Sequence, residues 1–126
     1  MADDAEDDVL TLAELREVQG KERDSDTLQP LDEEFFDRAR EYLDTKRGSG
    51  DVLDNREYRN ARNILEDIMD RRQKKIMKLA FLSMKSSSVQ VDNLMDTEAE
   101  MFDDIAEVIG TYRRDLDELV FEDATT

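Results

Sequence analysis

The stretch NREYRNARNILEDIMDRRQKKIMKLAFLSMK, residues 55–85, decides the fold. Ala61, Ile64, Leu65, Ile68, Arg72, Ile76, Leu79, Ala80 and Ser83 recur at the helical period of 3.6 residues. In its C-terminal half, Met77, Phe81 and Met84 add a second apolar face. A helix that is apolar on two sides is packed by neighbours on both. Thirty residues of helix span about 45 Å, longer than a small bundle requires, so the end of this one is expected to project to a partner.

The segments around it read as shorter helices with marked starts. Upstream, Leu10-Thr11-Leu12-Ala13-Glu14-Leu15 carries a capping box, Thr11 with Glu14, inside a Leu10–Leu15 hydrophobic staple. The spacing of Leu12, Leu15 and Val18 predicts a helix that fades near Gly20 to Asp24. Pro30 turns Gln29 away from helical geometry, which makes residues 27–31 a linker. Asp32 is the expected cap of the next helix, with Glu33 and Glu34 in its first turn and Leu31–Phe36 as a second staple. Phe35, Phe36, Ala39, Tyr42 and Leu43 form its buried stripe, and Lys46-Arg47-Gly48 ends it. Gly48-Ser49-Gly50 is a flexible joint, and Asp54 with Glu57 repeats the cap spacing before the long helix.

Downstream, Ser86-Ser87-Ser88 breaks the pattern and Val89-Gln90-Val91 alternates as a short extended piece would. Thr97 and Glu100 suggest another capping box, opening a helix over about 98–120. Its broad apolar face holds Met101, Phe102, Ile105, Val108, Ile109, Tyr112, Leu116 and Leu119. Gly110 weakens that helix by about 1 kcal/mol relative to Ala but admits a close helix crossing. The expectation is all-α: a bundle of about four main helices over residues 10–120, between an acidic disordered N-terminus (1–9) and a C-terminal tail (121–126).

Composition narrows the chemistry. With neither histidine nor cysteine, the chain has no imidazole base, no Ser-His or Cys-His pair, no thiolate ligand and no disulfide. Its 126 residues suit one core and leave no room for a large cleft between domains. No apolar run reaches the ~18–20 residues that cross a bilayer. The acidic start Met1 to Asp8 is unlike a secretory signal, so a cytoplasmic protein without membrane contact is expected. Net charge is −16, Asp outnumbers Glu and Arg outnumbers Lys. That pattern is expected of a chain adapted to high salt, where screening removes self-repulsion. The other reading is an acidic chain that meets a basic partner.

Against that field, Arg71 to Val91 contains no acid. Arg71, Lys74, Lys75, Lys78 and Lys85 lie near one helical face. Three readings are open: pairing with Glu100, Asp103, Asp104 and Glu107 of the chain's own last helix, docking of an acidic partner, or contact with DNA phosphates, the last disfavoured by the overall charge. The apolar run Ile76 to Met84, with Met77, Phe81 and Met84 as anchors, is a candidate subunit interface as well as core. Phe121 lies past the last clear turn and is a candidate contact. Phe35, Phe36, Tyr42, Phe102 and Tyr112 are expected in the core. Glu33, Glu34 and Asp37 with Glu100, Asp103 and Asp104 have the spacing of a Mg²⁺ site between helices, but a chain with 34 acids produces such spacing by chance.

The order of segments resembles the archaeal GINS subunits. The resemblance rests on Glu14-Leu15-Arg16, then Lys21-Glu22-Arg23-x-Ser25-x-x-Leu28-Gln29-x-Leu31, then Asp32-Glu33-Glu34-Phe35-Phe36, and then Arg71-Arg72-Gln73-Lys74-Lys75-Ile76-Met77-Lys78-Leu79-Ala80. It runs from about Leu10 to Leu119. The family pairs a helical domain with a small β-domain, and this chain is similar to the class in which the helical domain comes first. Seven residues follow Leu119, so the resemblance implies a helical domain without its β-domain. It further implies a non-catalytic scaffold with no cofactor, assembled with other GINS subunits and bridging the MCM helicase and a RecJ-like partner in DNA replication. The alternatives are a generic acidic helical adaptor or DNA mimic and, at some distance, a Mg²⁺-dependent all-helical nucleotide pyrophosphohydrolase.

Overall fold

A computed structural model describes residues 9–122. Among the described residues the fold is all-α, with four helices: α1 (Leu12–Arg23), α2 (Phe35–Arg47), α3 (Val52–Lys85) and α4 (Asp96–Phe121). No strand occurs among the described residues, and Val89-Gln90-Val91 is irregular. The reading of Met1 to Asp8 as disordered lies outside the described residues. Two compact units divide at Gln73 and Lys74, so α3 contributes residues 52–73 to the first and 74–85 to the second.

In the first unit the staple holds as read. Leu10 and Leu15 are both buried and join Phe35, Ala39, Tyr42, Ala61, Ile64, Leu65 and Ile68 in one core. Each fully buried side chain of this size contributes about 1.5–3 kcal/mol. Phe35 and Phe36 meet edge to face at 5.5 Å. The Thr11 hydroxyl accepts from the Glu14 amide at 3.1 Å and caps α1. The return half of the expected box is absent, because the Glu14 carboxylate turns to Arg38 of α2, 3.3 Å away.

The starts of the later helices differ from the expected ones. At α2, Asp32 closes a turn before the helix: its side chain accepts from Glu34 N at 3.2 Å and its carbonyl from Phe35 N at 2.9 Å. The helix itself begins at Phe35. Three residues earlier than expected, α3 starts at Val52, where the Asp51 carboxylate takes the Leu53 amide at 2.9 Å. Asp54 is not its cap, because Lys46 at the end of α2 draws in both Asp54 (3.3 Å) and Glu57 (2.8 Å). Glu57, then Asp54, raise the Lys46 pKa above its ordinary value. The joint before α3 is explicit at Gly50, whose φ of 74° is a conformation that costs glycine least.

Within the second unit, α4 begins at Asp96 and Glu98 accepts the Met95 amide at 2.9 Å. The capping box therefore sits two residues before the Thr97–Glu100 pair that the sequence suggested. Gly110 is buried, and a Cβ built there would stand 2.5 Å from the terminal methyl of Met84. The missing side chain does let the end of α3 come close to α4.

Candidate protein interface

The α3 stripe read from the sequence faces inward in both units. Ala61, Ile64, Leu65, Ile68 and Arg72 are buried in the first, Ile76 and Ala80 in the second. Arg72 is the unusual member, a charged side chain with 0% exposure. One of its guanidinium nitrogens donates to Glu22 at 2.6 Å and to the Gln29 carbonyl at 2.8 Å. The Gln29 amide donates back to the Glu22 carboxylate at 3.3 Å. Glu22 is equally buried. An ion pair so short and so dry survives only when further hydrogen bonds saturate it. Here they tie the α1–α2 connection to α3. The Gln29 side chain completes the tie by donating to Ser25 Oγ at 2.8 Å. Glu22, Ser25 and Gln29 are thus the polar members of a stretch whose role was invisible in the sequence, because Glu22 and Arg72 lie 50 positions apart.

The ten expected interface residues do not form one surface. Arg71 pairs with Asp67 on its own helix at 2.8 Å. That guanidinium, with the Gln19 amide after it, holds the Asp67 carboxyl below the usual carboxylate range. Ile76 is fully buried and belongs to the covered flank of α3, so it is corrected from contact to core. Lys75 is half-buried, while Lys74, Lys78 and Lys85 are exposed. Lys74, Lys78 and Lys85 make no ion pair with α4 among the described residues, so pairing with Glu100, Asp103, Asp104 and Glu107 does not occupy them. The Lys85 ammonium lies 5.1 Å from the Phe81 ring centroid. Met77, Phe81 and Met84 are exposed on the uncovered flank. Phe121 is still helical, as the last residue of α4, and is 76% exposed.

The larger surprise is on α4. Its first half is covered as expected, with Met101, Phe102 and Ile105 half-buried. Its second half is not. Tyr112, expected in the core, is 66% exposed, and Leu119 is 80% exposed. Val108, Tyr112, Leu116 and Leu119 step by four, four and three residues, so one continuous apolar face of α4 lies open, followed by Val120 and Phe121. Sequence periodicity identified the face correctly and could not say what covers it. Where this face meets the end of α3 there is a groove of about 580 Å³, lined by Phe81, Met84 and Lys85 from α3 and by residues from Val108 to Asp117 of α4.

Among the described residues no cluster of three or more carboxylates is drawn together as a cation site. Among the same residues no helix is long and apolar enough to cross a membrane. What the second unit offers is an apolar surface with convergent cations, suited to holding another polypeptide.

Residues 12–125 match the family model described as GINS complex subunit Psf2/Psf3-like N-terminal domain. Neither a curated protein nor a solved structure matches the chain.

Proposed function

Since this chain belongs to the GINS complex subunits, as a Psf2/Psf3-like N-terminal domain, and so to a family of non-catalytic scaffolds of DNA replication, we propose that the open apolar face of its second unit joins it to another GINS subunit. In assembled form it bridges the MCM helicase and a RecJ-like partner. The observation that carries this reading is the exposed row Val108, Tyr112, Leu116 and Leu119. A contiguous row of this kind is rare on a monomer and marks an interaction site. Burying a fully exposed side chain of this kind contributes about 1.5–3 kcal/mol, and less for Leu116, which is 36% exposed, so the row must be covered as a unit to offset much of the cost of association.

The acidic surface sets the conditions. Two chains of charge −16 repel at low ionic strength, and at molar salt that repulsion acts over only about 3 Å. Assembly should therefore strengthen as salt rises, in line with a salt-adapted source. The test is light scattering after size exclusion in molar salt, alone and mixed with a second GINS chain, followed by capture on MCM. The expected result is a stable oligomer that the Tyr112→Asp, Leu119→Asp double variant reduces to monomer with unchanged helix content. A strict monomer that binds neither a second GINS chain nor MCM refutes the reading.

A further inference from the structure

The groove between the end of α3 and α4 has a charge opposite to that of the rest of the molecule. Three cations line it, Lys85, Arg113 and Arg114, against one carboxylate, Asp117. Asp117 is already matched by Arg113 at 3.0 Å. Among the described residues Arg114 makes no ion pair and only a 3.2 Å hydrogen bond to Thr111. Asp115 and Glu118, though close in sequence, do not line the groove. On α3 the approach continues the pattern. Lys74, Lys78, Phe81 and Lys85 step by four, three and four residues and share one exposed face. A local excess of cations within a chain of net charge −16 is therefore concentrated where the apolar floor is open.

We infer that this groove takes an acidic amphipathic helix from a partner protein. The inference rests on the reading of this face as an interface and specifies the partner chemistry. About 580 Å³ falls within the ~300–1,000 Å³ of sites that enclose a small ligand, so it admits a few apolar side chains and no folded domain. Helix-in-groove recognition supplies such anchors at positions i, i+3 or i+4, and i+7, from one face of the incoming segment. The flanks of that segment then meet Lys85 on one side and Arg114 on the other, and carboxylates at those flanks satisfy both. Nucleic acid fits less well, because phosphates have no use for the Phe81–Met84–Leu116 floor and the exposed acids of α4 repel them.

The probe is a fluorescein-labelled helical peptide with Leu and Phe on one face and Glu elsewhere. It is compared with the same apolar pattern carrying Lys in place of Glu, and with a short DNA duplex. Anisotropy is read at protein concentrations where light scattering reports a monomer, and at the lowest salt that preserves full helix content. The expected result is that the acidic peptide binds at least about tenfold more tightly than the basic one, and that Lys85→Glu with Arg114→Glu inverts this order. Lys74→Glu with Lys78→Glu should weaken the acidic peptide without inverting the preference. Equal or tighter binding of the basic peptide, a preference unchanged by the Lys85 and Arg114 reversals, or the duplex displacing the acidic peptide overturns the inference. Intact assembly with a second GINS chain alongside any of those outcomes leaves the interface reading standing. Loss of assembly with the charge preference intact removes only that reading.

Discussion

Arg72→Met should be the most damaging conservative-volume substitution in the first unit. It leaves the Glu22 carboxylate in a site with 0% exposure and without the cation 2.6 Å away. Removing one partner of a buried pair costs about 3–5 kcal/mol, because the remaining charge is uncompensated. The Gln29 carbonyl also loses its 2.8 Å donor, which adds about 1 kcal/mol. Against a total stability of about 5–15 kcal/mol for a domain of this size, that loss is a large share. Replacing both residues, Glu22→Leu with Arg72→Met, should recover part of it, since no charge is then stranded. It should not recover all, because the half-buried Gln29 amide and carbonyl both lose partners, at about 1 kcal/mol each. Urea unfolding followed by circular dichroism in molar salt, run as a double-mutant cycle, measures both terms. Buried pairs are screened little, so the coupling should persist at high salt. Arg62→Ala, which breaks an exposed pair with Glu66, is the control and should leave the midpoint unchanged. If Arg72→Met costs under about 1 kcal/mol, or the two substitutions simply add, then the pair does not hold the unit together as argued.

Three further substitutions probe other elements. Thr11→Ala removes the hydroxyl that receives the Glu14 amide and should lower stability by about 1 kcal/mol, read as a shift in urea midpoint. Gly110→Ala should be close to neutral or slightly stabilising: the added methyl displaces only the flexible, half-open tip of Met84, while helix propensity improves by about 1 kcal/mol, and thermal melting decides the sign. Asp67→Asn should destabilise at neutral pH and lose that effect in acid. The Asp67 pKa is depressed by Arg71 and then by Gln19, so its contribution is present above the ordinary value of 3.8 and disappears as pH falls through the lower folded value. Unfolding of the two proteins measured side by side from neutral pH downward should converge; a gap that stays constant would count against the pair.

Much of the fold is legible in the residues because helices advertise their inward faces. The rhythm from Ala61 to Ser83 placed even Arg72 on the inward side, although a charge there looks like an error until Glu22 is found. That partner was hidden by 50 residues of chain, and nothing local to either residue points to the other. Helix starts were read less well, for a reason visible at Asp54. A carboxylate three residues before a Glu resembles a cap, yet Lys46 on a neighbouring helix claims both acids and Asp51 caps instead. Met95 is the reverse case, a side chain of no capping type whose amide is nonetheless held by Glu98. The surface was legible in composition and not in arrangement. Lys85, Phe81 and Met84 do gather at one groove, whereas Arg71 is spoken for by Asp67 and Ile76 lies inside. Tyr112 misled because periodicity reports a face and is silent on its cover.

The tie between Glu22, Arg72 and Gln29 bears on how the α1–α2 connection breathes. A surface crossover carrying Ser, Asp, Thr and Pro would ordinarily be the first part of a small helical unit to exchange its amide protons and the first to be nicked by a protease. The Gln29 amide donates to an interior carboxylate and its carbonyl accepts from Arg72, so the connection is held at both sides by the ion pair that joins α1 to α3. The deuterium uptake of that amide should therefore track opening of the whole unit, and a trypsin site such as Arg23, a few residues away, should stay uncut until the unit melts.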